Sequence, residues 1–130
     1  MKKFTFDQTY QEIEVAGEVY KIDFADEQLK AYQSAFSAFH AEMEQLAALK
    51  ADEMTYEENI AALDKQKAII SKMINVIFGA GAFDKLYEKA GNSLYNIAKL
   101  LHFVGEEIRD ATAAMNKEKR TKYIKAKKRA

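Results

Sequence analysis

The sequence contains no cysteine and no proline, and only two histidines in 130 residues. Without cysteine there are no disulfides and no thiolate metal sites, and the chain is compatible with a reducing cytoplasm. Without proline nothing forces a break in any helix that the rest of the sequence can sustain. His40 and His102 are each followed one helical turn later by a glutamate, Glu44 and Glu106. Two separate pairs do not supply the three or four ligands of a zinc site, so no metal is expected. No long apolar run occurs either. The longest, Met73 to Phe83, is interrupted by Asn75 and two glycines and is too short to span a bilayer. The opening MKKFTFDQTY alternates polar with apolar residues and lacks the apolar core of a secretory signal. The expectation is a soluble, intracellular protein with no membrane partner, of one domain's length and with enough chain to bury a real core.

Net charge is also absent overall, with 20 basic and 20 acidic residues, but its distribution is uneven. Lys117, Lys119, Arg120, Lys122, Lys125, Lys127, Lys128 and Arg129 face a single acid, Glu118, which leaves 12 basic against 19 acidic residues upstream. A body near −7 thus carries a segment near +7. An abrupt basic segment points to an acidic partner, a nucleic acid, or a stretch that orders on binding.

The hydrophobic period changes along the chain. From Lys3 to Phe24 apolar residues alternate, as Phe4 and Phe6, then Ile13 and Val15, then Tyr20, Ile22 and Phe24, predicting a small antiparallel meander with a turn at Ala16-Gly17. Such a meander needs a cover for its apolar face. Leu29, Tyr32, Phe36, Phe39, Met43, Leu46 and Leu49 then follow at steps of three and four, predicting a helix capped by Asp26 that lies over the strands. Thr55 and Glu58 form a capping-box pattern ahead of a second helix through Ile60, Leu63, Ile70, Met73, Ile74 and Ile77. Gly79-Ala-Gly81 ends it. A short third helix through Phe83, Leu86 and Tyr87 stops at Gly91, and Asn92 or Ser93 caps a fourth striped by Leu94, Ile97, Leu101, Val104, Ile108, Ala111 and Met115. The predicted architecture is a single, mostly helical α+β domain over residues 1–115, with strands in 1–25 and about four helices in 26–115. Residues 116–130 are expected to form a basic, flexible tail, because eight like charges repel and only Tyr123 and Ile124 offer apolar surface.

The search for catalytic and cofactor chemistry comes back empty. Glu57-Glu58 and Glu106-Glu107 are carboxylate doublets of the kind common at helix starts and on wet helix faces. Gly79-Ala-Gly81 leads into Ala82-Phe83-Asp84 with no lysine and no third glycine, so it is not a phosphate-binding loop. The expectation is a protein that is not an enzyme and holds no cofactor. Binding is the remaining class. On a helical wheel Phe103 lies roughly 130° and Tyr95 roughly 150° from the centre of the last helix's stripe, beyond what one buried face needs. Tyr95, Leu100 and Phe103 are therefore the candidate partner-binding residues. The alternative is a helix buried on two sides.

The order of elements carries a resemblance. A meander holding "KFTF" and "YKIDFAD", a long helix, the stretch "INVIFGAGAFDKLYEKAGNSLYNIAKLLHFVGEEI" and a Lys/Arg-rich segment with one tyrosine together resemble the tail assembly chaperones of long-tailed bacteriophages that infect Gram-positive bacteria. The resemblance implies a non-enzymatic role in the host cell cytoplasm. Such chaperones bind the long helical tape measure protein, help the major tail protein polymerise around it, and are absent from the finished virion. Many are made in two lengths by a programmed ribosomal frameshift. Codons for Ala126, Lys127 and Lys128 can spell a slippery adenine run, which would yield a longer form of the chain as a further partner. Two other readings compete: a small nucleic-acid-binding protein using the basic tail, and a structural component of the virion. Self-association is compatible with all three, through aromatic-rich helices or an open strand edge.

Overall fold

The computed structural model describes the backbone of residues 1–129 and the side chains of residues 1–114. Two antiparallel strands, β1 (Tyr10–Val15) and β2 (Glu18–Asp23), precede α1 (Asp26–Ala47), α2 (Tyr56–Phe78), α3 (Ala82–Lys89) and α4 (Leu94–Arg129), with a 3-10 turn at Ala51–Glu53 between α1 and α2. This is the expected mostly helical α+β architecture. By its internal contacts the chain divides into two units, Met1–Leu94 and Tyr95–Ala130.

The strands form a hairpin rather than a three-stranded meander. Tyr10 pairs with Asp23 and Val15 with Glu18, leaving Ala16 and Gly17 as a two-residue turn with φ of 51° and 85°. Positive φ at both turn positions matches the twist of the flanking strands, and the alanine accepts strain that a glycine or asparagine would avoid. The predicted first strand does not form. Phe4 and Phe6 are 81% and 86% exposed and meet edge-on at 4.9 Å, outside the two-stranded sheet. Alternation alone does not make a strand where no neighbouring edge takes up its backbone groups.

Register places Gln11, Ile13 and Val15 on one sheet face opposite Ile22, Tyr20 and Glu18. Ile13 and Ile22 are buried on that face, while Val19 on the other is exposed. Its cover comes from the end of α2, where Phe78 meets Tyr20 edge-on at 5.2 Å. On α1 only Tyr32 is buried, and Leu29, Phe36, Phe39, Met43 and Leu46 are half-covered. The side chain of Gln28, at the start of α1, donates to the Val76 carbonyl near the end of α2 at 3.1 Å, so the two helices run antiparallel. Asp26 is not the cap of α1. It is the first helical residue, Ala25 holds the cap position without a side-chain bond, and Asp23 Oδ1 instead accepts from the Ala25 amide at 2.9 Å.

The Tyr32 hydroxyl is buried and makes no hydrogen bond of full geometry among the described residues; burial pushes its phenol above the usual tyrosine range, and the nearby Gln28 side chain and Asp23 backbone oppose that rise only in part. Removing a buried polar group that its neighbours satisfy so poorly costs little and can stabilise. Tyr32→Phe is therefore expected to leave the melting temperature unchanged or raised by up to a few degrees, on the order of 0–1 kcal/mol. A clear drop would show that the hydroxyl has a partner.

The α2 start follows the capping-box reading in part. Thr55 Oγ1 accepts from the Glu58 amide at 3.1 Å, and the two side chains also bond to each other at 3.2 Å. At its other end Gly79 (φ 111°, ψ 162°) and Gly81 (φ 78°, ψ 0°) turn the chain into α3. Asn75, a polar interruption of an apolar run, has its reason here: Oδ1 accepts from the Phe83 amide at 2.9 Å, and its carbonyl accepts from the Gly79 amide at 3.0 Å. One residue of α2 thus caps one of the free amides of α3. Asn75→Ala is expected to cost about 1 kcal/mol, as removal of a helix cap does, measured by denaturant unfolding.

The α4 helix is continuous through the point where a tail was expected to begin. Its backbone is helical from Leu94 to Arg129, about 54 Å at 1.5 Å per residue. Ile97, Leu101, Val104 and Ile108 are buried, confirming the stripe through these four positions. Met115 and the basic side chains from Lys117 to Arg129 lie outside the residues whose side chains are described.

Candidate interaction surfaces

Among the described residues, side chains that could ligate a metal do not converge: no three of His, Asp and Glu gather where they could hold a metal ion. His102 Nε2 lies 3.3 Å from Glu106 Oε1, and the same carboxylate oxygen takes Arg109 at 3.5 Å, all on the exposed side of α4. His40 packs its ring against Phe39 at 5.7 Å. Glu58 is engaged at the Thr55 cap. The Gly79–Gly81 turn presents no open anion cradle, because the Ala82 amide donates to the Gly79 carbonyl and the Phe83 amide to Asn75. Among the described residues no helix is long and apolar enough to cross a membrane.

One polar cluster ties the hairpin to α3. Lys89 Nζ donates to Glu18 Oε2 at 2.7 Å, and Tyr20 Oη donates to the same oxygen at 3.0 Å. The Lys89 bond, with that of Tyr20, holds the Glu18 carboxyl below its ordinary pKa, and the Glu18 bond raises Lys89 above the usual lysine value. Burial, reinforced by Glu18, raises Tyr20. The sign follows for each partner. A depressed carboxyl stabilises the fold above its unfolded pKa and loses that contribution as pH falls through the folded one; a raised amine stabilises below its unfolded pKa and loses it as pH rises through the folded one. The tie is therefore strongest around neutral pH. Glu18→Gln is expected to flatten the acid limb of the melting-temperature profile, and an unchanged limb would remove Glu18 from the account.

The exposed apolar side chains are the more informative feature. On α4, Tyr95 is 71% and Phe103 50% exposed, as their wheel positions predict, and Leu100 is half-buried between them and the stripe. Lys99 Nζ sits 4.6 Å from the Tyr95 ring centre, covering one face of the ring with its own helix's charge. Helix α4 is therefore not buried on two sides at these positions.

A second apolar face was hidden by the sequence pattern. Tyr56, Ile60 and Leu63 lie on the stripe that continues to Ile70, Ile74 and Ile77, and periodicity treats all of them alike. In the structure the second half of that stripe is buried, while Tyr56, Ile60 and Leu63 are exposed, as is Leu49 ahead of them. The available signal was charge: between Glu42 and Asp64 stand seven acids against the single Lys50. Acid density of that order around a stripe marks the end of the core.

The chain belongs to the family of unknown function DUF6673, which it matches over residues 12–130. No curated protein and no solved structure matches it.

Proposed function

We propose that the chain is a tail assembly chaperone of a long-tailed bacteriophage of Gram-positive bacteria, acting in the host cytoplasm without catalysis. It binds helical segments of the tape measure protein, keeps them soluble, and releases them as the major tail protein polymerises. The observation that carries the reading is the outer face of α4, where Tyr95 and Phe103 stay exposed on a helix whose opposite stripe is already buried. Two aromatic side chains about two turns apart suit the apolar stripe of a partner helix, which is how helix-in-groove recognition is anchored. The sequence resemblance supplies the identity of that partner.

The test is coexpression with the tape measure protein from the same genome. The tape measure is expected in the insoluble fraction alone and in a soluble complex with this chain. Tyr95→Ser/Phe103→Ser is expected to weaken that complex by roughly ten- to a hundredfold, the scale of losing one or two aromatic anchors, with the helical circular dichroism retained. A tape measure that stays insoluble in the presence of the wild-type chain contradicts the reading.

The basic segment supports one competing reading. If nucleic acid were the partner, binding would fall steeply with salt and disappear on neutralising the residues from Lys117 to Arg129. The chaperone reading expects a second, longer product from the native gene, lost when the codons for Lys127 and Lys128 are silently changed.

A further inference from the structure

The half-covered end of the α1–α2 pair has two properties that together define what can cover it. It is apolar along one face, with Leu49 49%, Tyr56 80% and Leu63 55% exposed. It is also acidic: between Glu42 and Asp64 seven acids stand against Lys50, and of these Glu42 is paired with Lys72 at 3.9 Å and Glu53 with Lys50 at 4.0 Å. A second copy docking through this same face would set acid against acid, so its occupant must be cationic. The chain itself carries such a segment: residues 117–129 hold eight basic residues against Glu118, include Tyr123 and Ile124, and belong to a helical stretch of backbone that runs to Arg129.

We propose that the acidic, apolar end of the α1–α2 pair is a docking face for the basic C-terminal segment of a second copy of this chain. The pairing matches a helix to an open helical stripe, and a segment of charge +7 to a stretch in which acids outnumber bases. Burial of apolar side chains supplies attraction that salt does not remove, while the charges set partner choice and speed the encounter. Glu53 and Glu57, both exposed and outside the Thr55–Glu58 cap, are positioned to set that choice.

A charge exchange in full-length protein tests this. Three forms are compared by sedimentation and light scattering: wild type, Glu53→Lys/Glu57→Lys, and Lys119→Glu/Lys122→Glu, each checked for unchanged helical circular dichroism. Wild type is expected to gain mass with concentration at about 0.05 M salt, and to self-associate about tenfold or more weakly at about 0.5 M, where the Debye length is a few ångströms. Each variant alone is expected to associate about tenfold or more weakly than wild type, and an equimolar mixture of the two to recover association, because each then offers the charge the other lacks. Wild-type protein that stays monomeric at every concentration overturns the proposal. So does association that survives in both variants, or a mixture no stronger than its components. The tape measure coexpression reads a different face, on α4, so failure of either proposal is distinguishable from failure of the other.

Discussion

Ile74→Ala is expected to lower the unfolding free energy by about 2–5 kcal/mol, the largest effect of any single substitution considered. Ile74 is fully buried, in the half of α2 where Ile70, Met73 and Ile77 are also buried. Truncating its side chain forfeits the transfer energy of three carbons and leaves a cavity that a close-packed neighbourhood relaxes into only partly. Against a total of about 5–15 kcal/mol for an ordinary domain, the loss runs from about an eighth of the stability to all of it. The matched control is Leu63→Ala on the same stripe. With Leu63 55% exposed, its truncation is expected to cost no more than about 0.5 kcal/mol. Urea unfolding of the two variants reads the difference directly. Equal costs under high-salt, dilute conditions that keep the chain monomeric would mean that the first half of α2 is covered within the chain itself, and the account of that half as a surface open to a partner would fail.

Gly79→Ala ranks second. At φ 111° and ψ 162° the backbone sits in a region that only glycine occupies readily, and holding another residue there costs on the order of 1–3 kcal/mol. A Cβ at this position would meet nothing within 4 Å, so the cost is backbone conformation rather than a clash. The loss also propagates. The turn at Gly79 is what brings the Phe83 amide to Asn75 Oδ1, so a strained turn loosens the cap of α3 along with its own geometry. Gly79→Ala combined with Asn75→Ala is therefore expected to cost less than the sum of the two, because the second change removes a bond the first has already weakened. Strict additivity in denaturant unfolding would show that turn and cap are independent.

The elements that could be read from sequence are those whose signal is local. The Thr55–Glu58 pattern marked the start of α2, the two glycines its end, and the step of three and four the buried face of α4 at Ile97, Leu101, Val104 and Ile108. Alternation identified β1 and β2, because their pairing needs only a two-residue turn. The same alternation misread Phe4 and Phe6, since whether a third strand forms depends on an edge elsewhere in the fold. Asp26 failed as a cap for a different reason: Asp23, three residues earlier, already bonds the Ala25 amide, and the helix begins one residue sooner. Of the candidate surfaces, Tyr95 and Phe103 were legible because an angle on a wheel places them outside the stripe. The face at Tyr56, Ile60 and Leu63 was not, because a hydrophobic period records which residues share a side and not whether anything lies against it.

The most direct measurement of the proposed chaperone role is quantitative mass spectrometry in the phage that this proposal requires, comparing immunoprecipitates from infected cells with purified virions. The account predicts that this chain is recovered with the tape measure protein from cells and is absent from particles, and that both the complex and the yield of tailed particles fall with Tyr95→Ser/Phe103→Ser. Recovery of the chain from virions at a fixed ratio to the tail proteins, or its recovery from cells without the tape measure protein, would contradict it.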